Sequence, residues 1–173
     1  MKKLLPFILL ALLGFEATAQ RQKSFSKQFM PTWENATEYT LAVANLMPPE
    51  KYDYKPSDGQ LTFAQLMVHI AENLSWINST YIMAEENPMK SDDYDGLGKD
   101  EVIALLEQSF KYTSKSIGNL NDLQITKGVK FAGENLSIGQ MVYLMRDHMT
   151  HHRAQAIVYL RMNGIKPPTY VGW

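Results

Sequence analysis

Two histidines four residues apart, His148 and His152, sit in the run Met145-Arg146-Asp147-His148-Met149-Thr150-His151-His152-Arg153-Ala154-Gln155. On an α-helix, at about 100° per residue, His152 lies about 40° from His148 and Gln155 about 20° to the other side. One face therefore carries both imidazoles and the Gln155 amide, together with Met141, Leu144 and Tyr159. A pair spaced this way can hold one metal ion, because the two rings project one turn apart along one stripe. The rest of the face is apolar and must point into a core, where imidazoles without polar partners are costly. A shared cation offsets that cost.

The only further histidine outside this run is His69. Its segment has an apolar face of Phe63, Leu66, Met67, Ile70, Leu74, Ile77 and Tyr81, and His69 falls at the border of that face with Gln65, Asn73 and Trp76. Border positions line the space between helices. Three histidines from two helices would leave a fourth coordination position open, as in catalytic rather than structural zinc. The competing reading is a set of hydrogen-bonded core histidines; the spacing favours metal without excluding it. His151, about 60° from His148 on the side away from His152, is assigned to the bundle edge, supporting a ligand or facing solvent. Trp33, Trp76 and the methionines read as core fillers, with Trp76 placed to wall the pocket two turns beyond His69.

The elements that must position these residues are helical. Apolar spacing predicts helices over 24–47, 62–84, 100–120 and 137–162. Thr62/Gln65 and Ser137/Gln140 have capping-box spacing, Pro48-Pro49 and Asn87-Pro88 stop the first two helices, and Asn163-Gly164 stops the last. Pro31 marks a kink or a late start of the first. Residues 121–135 break the pattern, and Val129 and Phe131 alternate with polar neighbours as a short extended segment. The fold class expected is all-α, a four-helix bundle.

Composition bounds the rest. The chain has 17 basic and 18 acidic residues, 45% hydrophobic residues and no cysteine. This excludes a disulfide scaffold, a thiolate metal site and a cysteine nucleophile, and offers no electrostatic case for nucleic acid or anionic lipid. Residues 1–19 read as a signal peptide: Lys2 and Lys3, an apolar stretch from Leu4 to Phe15, then Ala17-Thr18-Ala19. Cleavage before Gln20 leaves one domain, 20–173, periplasmic or secreted, with no membrane partner. A second apolar strip on the last helix (Val142, Met149, Ala156, Ile157, Leu160) is either central to the core or the face of a homodimer. Asp92-Asp93-Tyr94-Asp95-Gly96 has oxygens at the wrong intervals for a calcium loop.

The segment Leu66-Met67-Val68-His69-Ile70-Ala71-Glu72, followed by His148 to Gln155, resembles the DinB/YfiT-like superfamily. Tyr52-Asp53-Tyr54-Lys55-Pro56 and the ending Asn163-Gly164-Ile165-Lys166-Pro167-Pro168 with Tyr170 fit the same resemblance, which spans about residues 25–173. It implies a four-helix bundle of unusual connectivity and a three-histidine site for zinc or nickel, mapping to His69, His148 and His152. Ala154 stands where relatives often have Gly. The superfamily's activities are mixed: some members resemble thiol-dependent S-transferases, some are isomerases, and many have no known activity.

The chemistry expected is therefore metal-dependent hydrolysis of a small-molecule substrate. The three histidines hold the ion, Gln155 and Asn73 orient substrate or water, and Glu72 serves as general base. The alternatives are S-transfer, in which the metal activates a thiol, and a non-catalytic protein that binds metal or a small ligand. An exported protein lacks the cytoplasmic thiol supply, which favours hydrolysis over S-transfer.

Overall fold

The computed structural model describes residues 24–89 and 94–173; the expected signal segment and Asp92–Asp93 of the acidic turn lie outside them. The first helix, α1, runs Phe25–Leu46 and buries Phe29, Trp33, Ala36, Thr40 and Val43 at three- and four-residue intervals. Pro31 lies inside it rather than at its start, so the Lys27 carbonyl has no i+4 amide to accept from. At its far end Lys99 Nζ donates to the Asn45 and Met47 carbonyls (2.7 and 3.0 Å), satisfying two of the carbonyls that a helix terminus leaves without partners.

The second helix, α2, spans Phe63–Ile77, opened by the expected capping box of Thr62 and Gln65. It does not continue as α-helix to residue 84. Asn78–Met83 widens into a π-helical turn that ends at Ala84 in the left-handed region (φ 53°). The wide turn buries Asn78 and Ser79, and Asn78 Nδ2 donates to Ser116 Oγ (2.9 Å). Helix α3 covers Lys99–Asn119, and Ser109 Oγ donates across to the Ala71 carbonyl (2.9 Å).

Between α3 and the last helix the chain forms a short helix, α4 (Asp122–Ile125), and a hairpin rather than a single extended segment. Strands β1 (Gly128–Phe131) and β2 (Glu134–Ser137) pair antiparallel, Gly128 opposite Ser137. Ala132 and Gly133 both have positive φ (51° and 90°), the backbone a two-residue hairpin loop requires. Helix α5 (Ile138–Met162) follows directly, with its Ser137/Gln140 capping box formed.

Helices α1, α2, α3 and α5 make the bundle. The packed neighbours are α1 with α3, α3 with α2, α2 with α5 and α5 with α1. Both long connections, α1 to α2 and α3 to α5, therefore cross a diagonal, and this ring order is what sets α2 beside α5.

Two readings from the sequence change here. Val142, Met149, Ala156 and Leu160 are fully buried by the chain's own helices and Ile157 is half-buried, so four of the five residues in the strip that suggested a homodimer are core. Trp33 is core, but Trp76 is 42% exposed; it stacks edge-on with Tyr81 (centroids 5.6 Å apart) near Phe131 of the hairpin. Arg153 reaches the α1–α5 seam, where Nη1 donates to the Ala36 carbonyl (2.9 Å) and Thr40 Oγ1 (3.2 Å) and the guanidinium lies over the Tyr39 ring.

A candidate metal centre between two helices

His69 on α2 and His148 and His152 on α5 meet at one point. Their ring centroids are 4.9 Å (His69–His148), 4.6 Å (His69–His152) and 4.4 Å (His148–His152) apart. One nitrogen from each ring lies within 4.8 Å of the others. The Nε2 atoms of His148 and His152 face each other at 3.1 Å. Nitrogens bound to one tetrahedral zinc at about 2.0–2.1 Å sit about 3.3 Å apart, so the α5 pair already has close to the required bite.

Electrostatics favour the same use. Burial first, then the neighbouring imidazoles, push His148 from its ordinary 6.5 down to about 4. Burial also lowers His152, against the Gln155 hydrogen bond, which raises it. Both rings are therefore neutral at pH 7, with a lone pair free for a cation. His148 Nδ1 is buried with no hydrogen-bond partner, so the only polar protein contact of this ring is its Nε2 against His152. Two facing Nε2 atoms share at most one proton between them, whereas a cation satisfies both lone pairs.

Gln155 is held between two histidines of its own helix. Its Oε1 lies 2.9 Å from His152 Nδ1 and its Nε2 lies 3.3 Å from His151 Nε2. The amide oxygen accepts from His152 Nδ1–H, which leaves Nε2 as the ligand atom, and the amide N–H donates to the exposed His151. His151 is thus at the bundle edge, as expected, and braces the amide.

Two cavities flank the triad. One, about 310 Å³, is lined by Leu61, Gln65, Val68, His69, Glu72, Tyr94 and Asp95. The other, about 280 Å³, is lined by Leu61, Leu66, His152, Gln155, Tyr159 and the turn Asp58-Gly59-Gln60. Leu61 belongs to both, and its carbonyl accepts from Tyr159 OH (3.1 Å). Glu72 shares the first cavity with His69, and its charge helps to raise the Tyr94 hydroxyl above its ordinary 10.0, after the larger effect of burial. Asn73 is in the lining of neither; its Oδ1 is buried without a hydrogen-bond partner. A further cavity, about 610 Å³ among Phe25, Phe29, Asp122, Ile125, Tyr143 and Arg146, has no histidine in its lining.

Sequence reasoning missed Leu61, Tyr94 and Asp95. The last two lie in the acidic turn set aside as a failed calcium loop, and nothing local ties that turn to His69.

The family model of the DinB family matches residues 20–173. No curated protein matches the chain significantly. Among solved structures, a DinB-like protein from Bacillus cereus superposes with a TM-score of 0.75 at 18% identity, covering 86% of this chain and 98% of that one. A DinB-like protein from Bacillus subtilis gives 0.69 at 17% identity (83% and 96%). A conserved protein from Enterococcus faecalis gives 0.65 at 14% (81% and 97%). At these identities the likeness concerns the fold.

Proposed function

The chain belongs to the DinB family, and we propose that it is an exported, metal-dependent hydrolase of a small substrate. The observation that carries this reading is the convergence of three imidazoles on one point beside two open cavities. A structural site is closed by a fourth protein ligand. Here no cysteine exists in the chain, and no carboxylate joins the three histidines among the described residues.

His69, His148 and His152 would hold zinc or nickel, each through one neutral nitrogen. When bound, such an ion supplies Lewis acidity: it polarises a carbonyl or phosphoryl oxygen and acidifies water, to about pKa 7 in His₃ zinc. Gln155 holds His152 in the tautomer that presents Nε2. Glu72, exposed on the cavity wall with His69, would take a proton from water entering there. Asn73, with a buried acceptor that no protein group uses, is the remaining polar group one turn beyond His69. S-transfer would use the same ion with a thiol in place of water.

Elemental mass spectrometry of the untagged mature protein, beside His69→Ala and His152→Ala, tests the site. A single equivalent of zinc or nickel, lost in both variants, is the expected result. A wild type that stays metal-free after either metal is added overturns the reading. Ester, amide and thiol-transfer screens on the loaded protein then separate hydrolysis from S-transfer.

A further inference from the structure

At the α1–α5 seam lies a cavity of about 210 Å³, with Thr32 of α1, Arg146, Asp147, Thr150 and Arg153 of α5, and Tyr170 of the C-terminal tail in its lining. Arg146 and Asp147 pair with each other (3.1 Å). Arg153 is different. It is only 5% exposed, and a charge that far from water normally carries a counter-charge. Among the described residues the ion pairs are Lys55–Asp58 and Arg146–Asp147, so no carboxylate neutralises Arg153. Burial lowers its pKa from the ordinary value, and the influences acting the other way come from the Tyr39 and Tyr170 hydroxyls rather than from an acid.

The partners that Arg153 does have are neutral and take only part of its donor capacity. Nη1 donates to the Ala36 carbonyl and to Thr40 Oγ1, Nη2 donates to Thr150 Oγ1 (3.3 Å), and the Tyr39 ring covers one face. A guanidinium carries five N–H donors. These bonds account for three, so Nε–H and the second Nη2–H have no protein acceptor among the described residues. Nε is not sealed off either: the buried side-chain polar atoms without partners are Asn73 Oδ1, Asn78 Oδ1 and His148 Nδ1. Nε and Nη2 form one edge of the guanidinium, a fork whose parallel N–H bonds match the two oxygens of a carboxylate.

We propose that this cavity binds a small monocarboxylate, its two oxygens on the Nε/Nη2 edge of Arg153 and its remaining atoms beside Thr32, Arg146 and Tyr170. One negative charge matches the lining, because Arg146 and Asp147 cancel and the charge of Arg153 is left over. A phosphate dianion would bring a second negative charge against Asp147. The site is independent of the metalloenzyme reading. Arg153 follows His152 in sequence but turns to Ala36 and Thr40 of α1, whereas His152 faces His69 of α2.

The probe is N-acetylglycine, with N-acetylglycinamide as its uncharged counterpart and inorganic phosphate as the competing anion. Each is titrated into the zinc-loaded protein at constant ionic strength while the arginine Nε–H resonances are followed by NMR. The acid should move one resonance saturably, the one missing from Arg153→Lys, and the amide should not. Arg153→Lys keeps the charge but lacks the fork and should weaken binding about tenfold or more, as expected for losing a charge-assisted hydrogen bond. Arg146→Gln should weaken it about two- to fivefold, the range for an exposed charge. His148→Ala removes a candidate metal ligand and should bind the acid as the wild type does, which separates this site from the triad. No saturable response, an equal response to the amide, tighter binding of phosphate, an affinity that survives Arg153→Lys, or binding lost in His148→Ala each overturns the proposal. Should Arg153→Lys not fold, Arg146→Gln decides, and an unchanged affinity there overturns it.

Discussion

Gln155 and His152 are joined by a single hydrogen bond, Oε1 to Nδ1 at 2.9 Å, that fixes which nitrogen of the ligand faces the site. The pair sits on consecutive turns of one helix, so α5 supplies both a ligand and the group that orients it. A metal-binding histidine almost always donates its other N–H in this way, and losing the acceptor typically costs 10–100-fold in affinity. Gln155→Leu should therefore weaken zinc binding by about that factor with little change in the metal-free melting temperature. Chelator competition measures the first and thermal denaturation the second; unchanged affinity would show that the amide is incidental.

Metal binding should stabilise the fold. A ligand present at about 100 times its Kd adds about 2.7 kcal/mol, which for a chain of this size raises Tm by roughly 5–10 °C. Zinc added to the wild type should produce that rise and EDTA should reverse it. His148→Ala should show no rise.

The metal-free protein should lose stability in mild acid. His148 has an ordinary pKa of 6.5 and a folded value of about 4. Above 6.5 it is neutral in both states and contributes no pH dependence. Between 6.5 and 4 the unfolded chain binds the proton and the folded one does not, so unfolding becomes easier as pH falls, and the effect levels off below about 4. Urea denaturation across this window should show the slope in the wild type and a smaller one in His148→Asn. A wild-type curve as flat as the variant's would mean that the ring is better solvated than its burial indicates.

Arg153 ties α5 to α1 through the Ala36 carbonyl, Thr40 Oγ1 and the Tyr39 ring, and is steadied within α5 by Thr150 Oγ1. Arg153→Lys cannot reproduce this planar set of contacts and should cost about 1–3 kcal/mol, read from denaturant midpoints. Its zinc content should stay at the wild-type level, because the guanidinium serves the seam rather than the triad.

Expression with the full leader in a bacterial host should release a protein whose N-terminus is Gln20. Intact mass and N-terminal sequencing of the periplasmic or culture fraction test this. Recovery only of the full-length chain in the cytoplasm would count against export.

Much of this protein was legible locally. Helix starts follow from Thr62/Gln65 and Ser137/Gln140, since a cap is a contact between residues three apart. The shared face of His148, His152 and Gln155 follows from helical pitch alone. The hairpin was half seen: Val129 and Phe131 showed the alternation, but its loop is Ala132-Gly133 rather than the more usual Asn-Gly or Asp-Gly, so the returning strand carried no turn signal. Trp76 reads as core from hydrophobicity, yet the π-helical turn and hairpin beside it leave it largely at the surface.

What the sequence by itself determined was the shared face of His148 and His152 and the helices that carry the candidate histidines, because pitch, caps and faces are properties of neighbouring residues. What only the tertiary structure decided was adjacency. His69 meets the α5 pair because the ring order sets α2 against α5; Tyr94 and Asp95 join them because the α2–α3 connection returns past His69; and the second apolar strip of α5 is covered by its own chain. Each depends on how four apolar faces close into one core. That is a global packing solution, and short-range spacing carries no record of it.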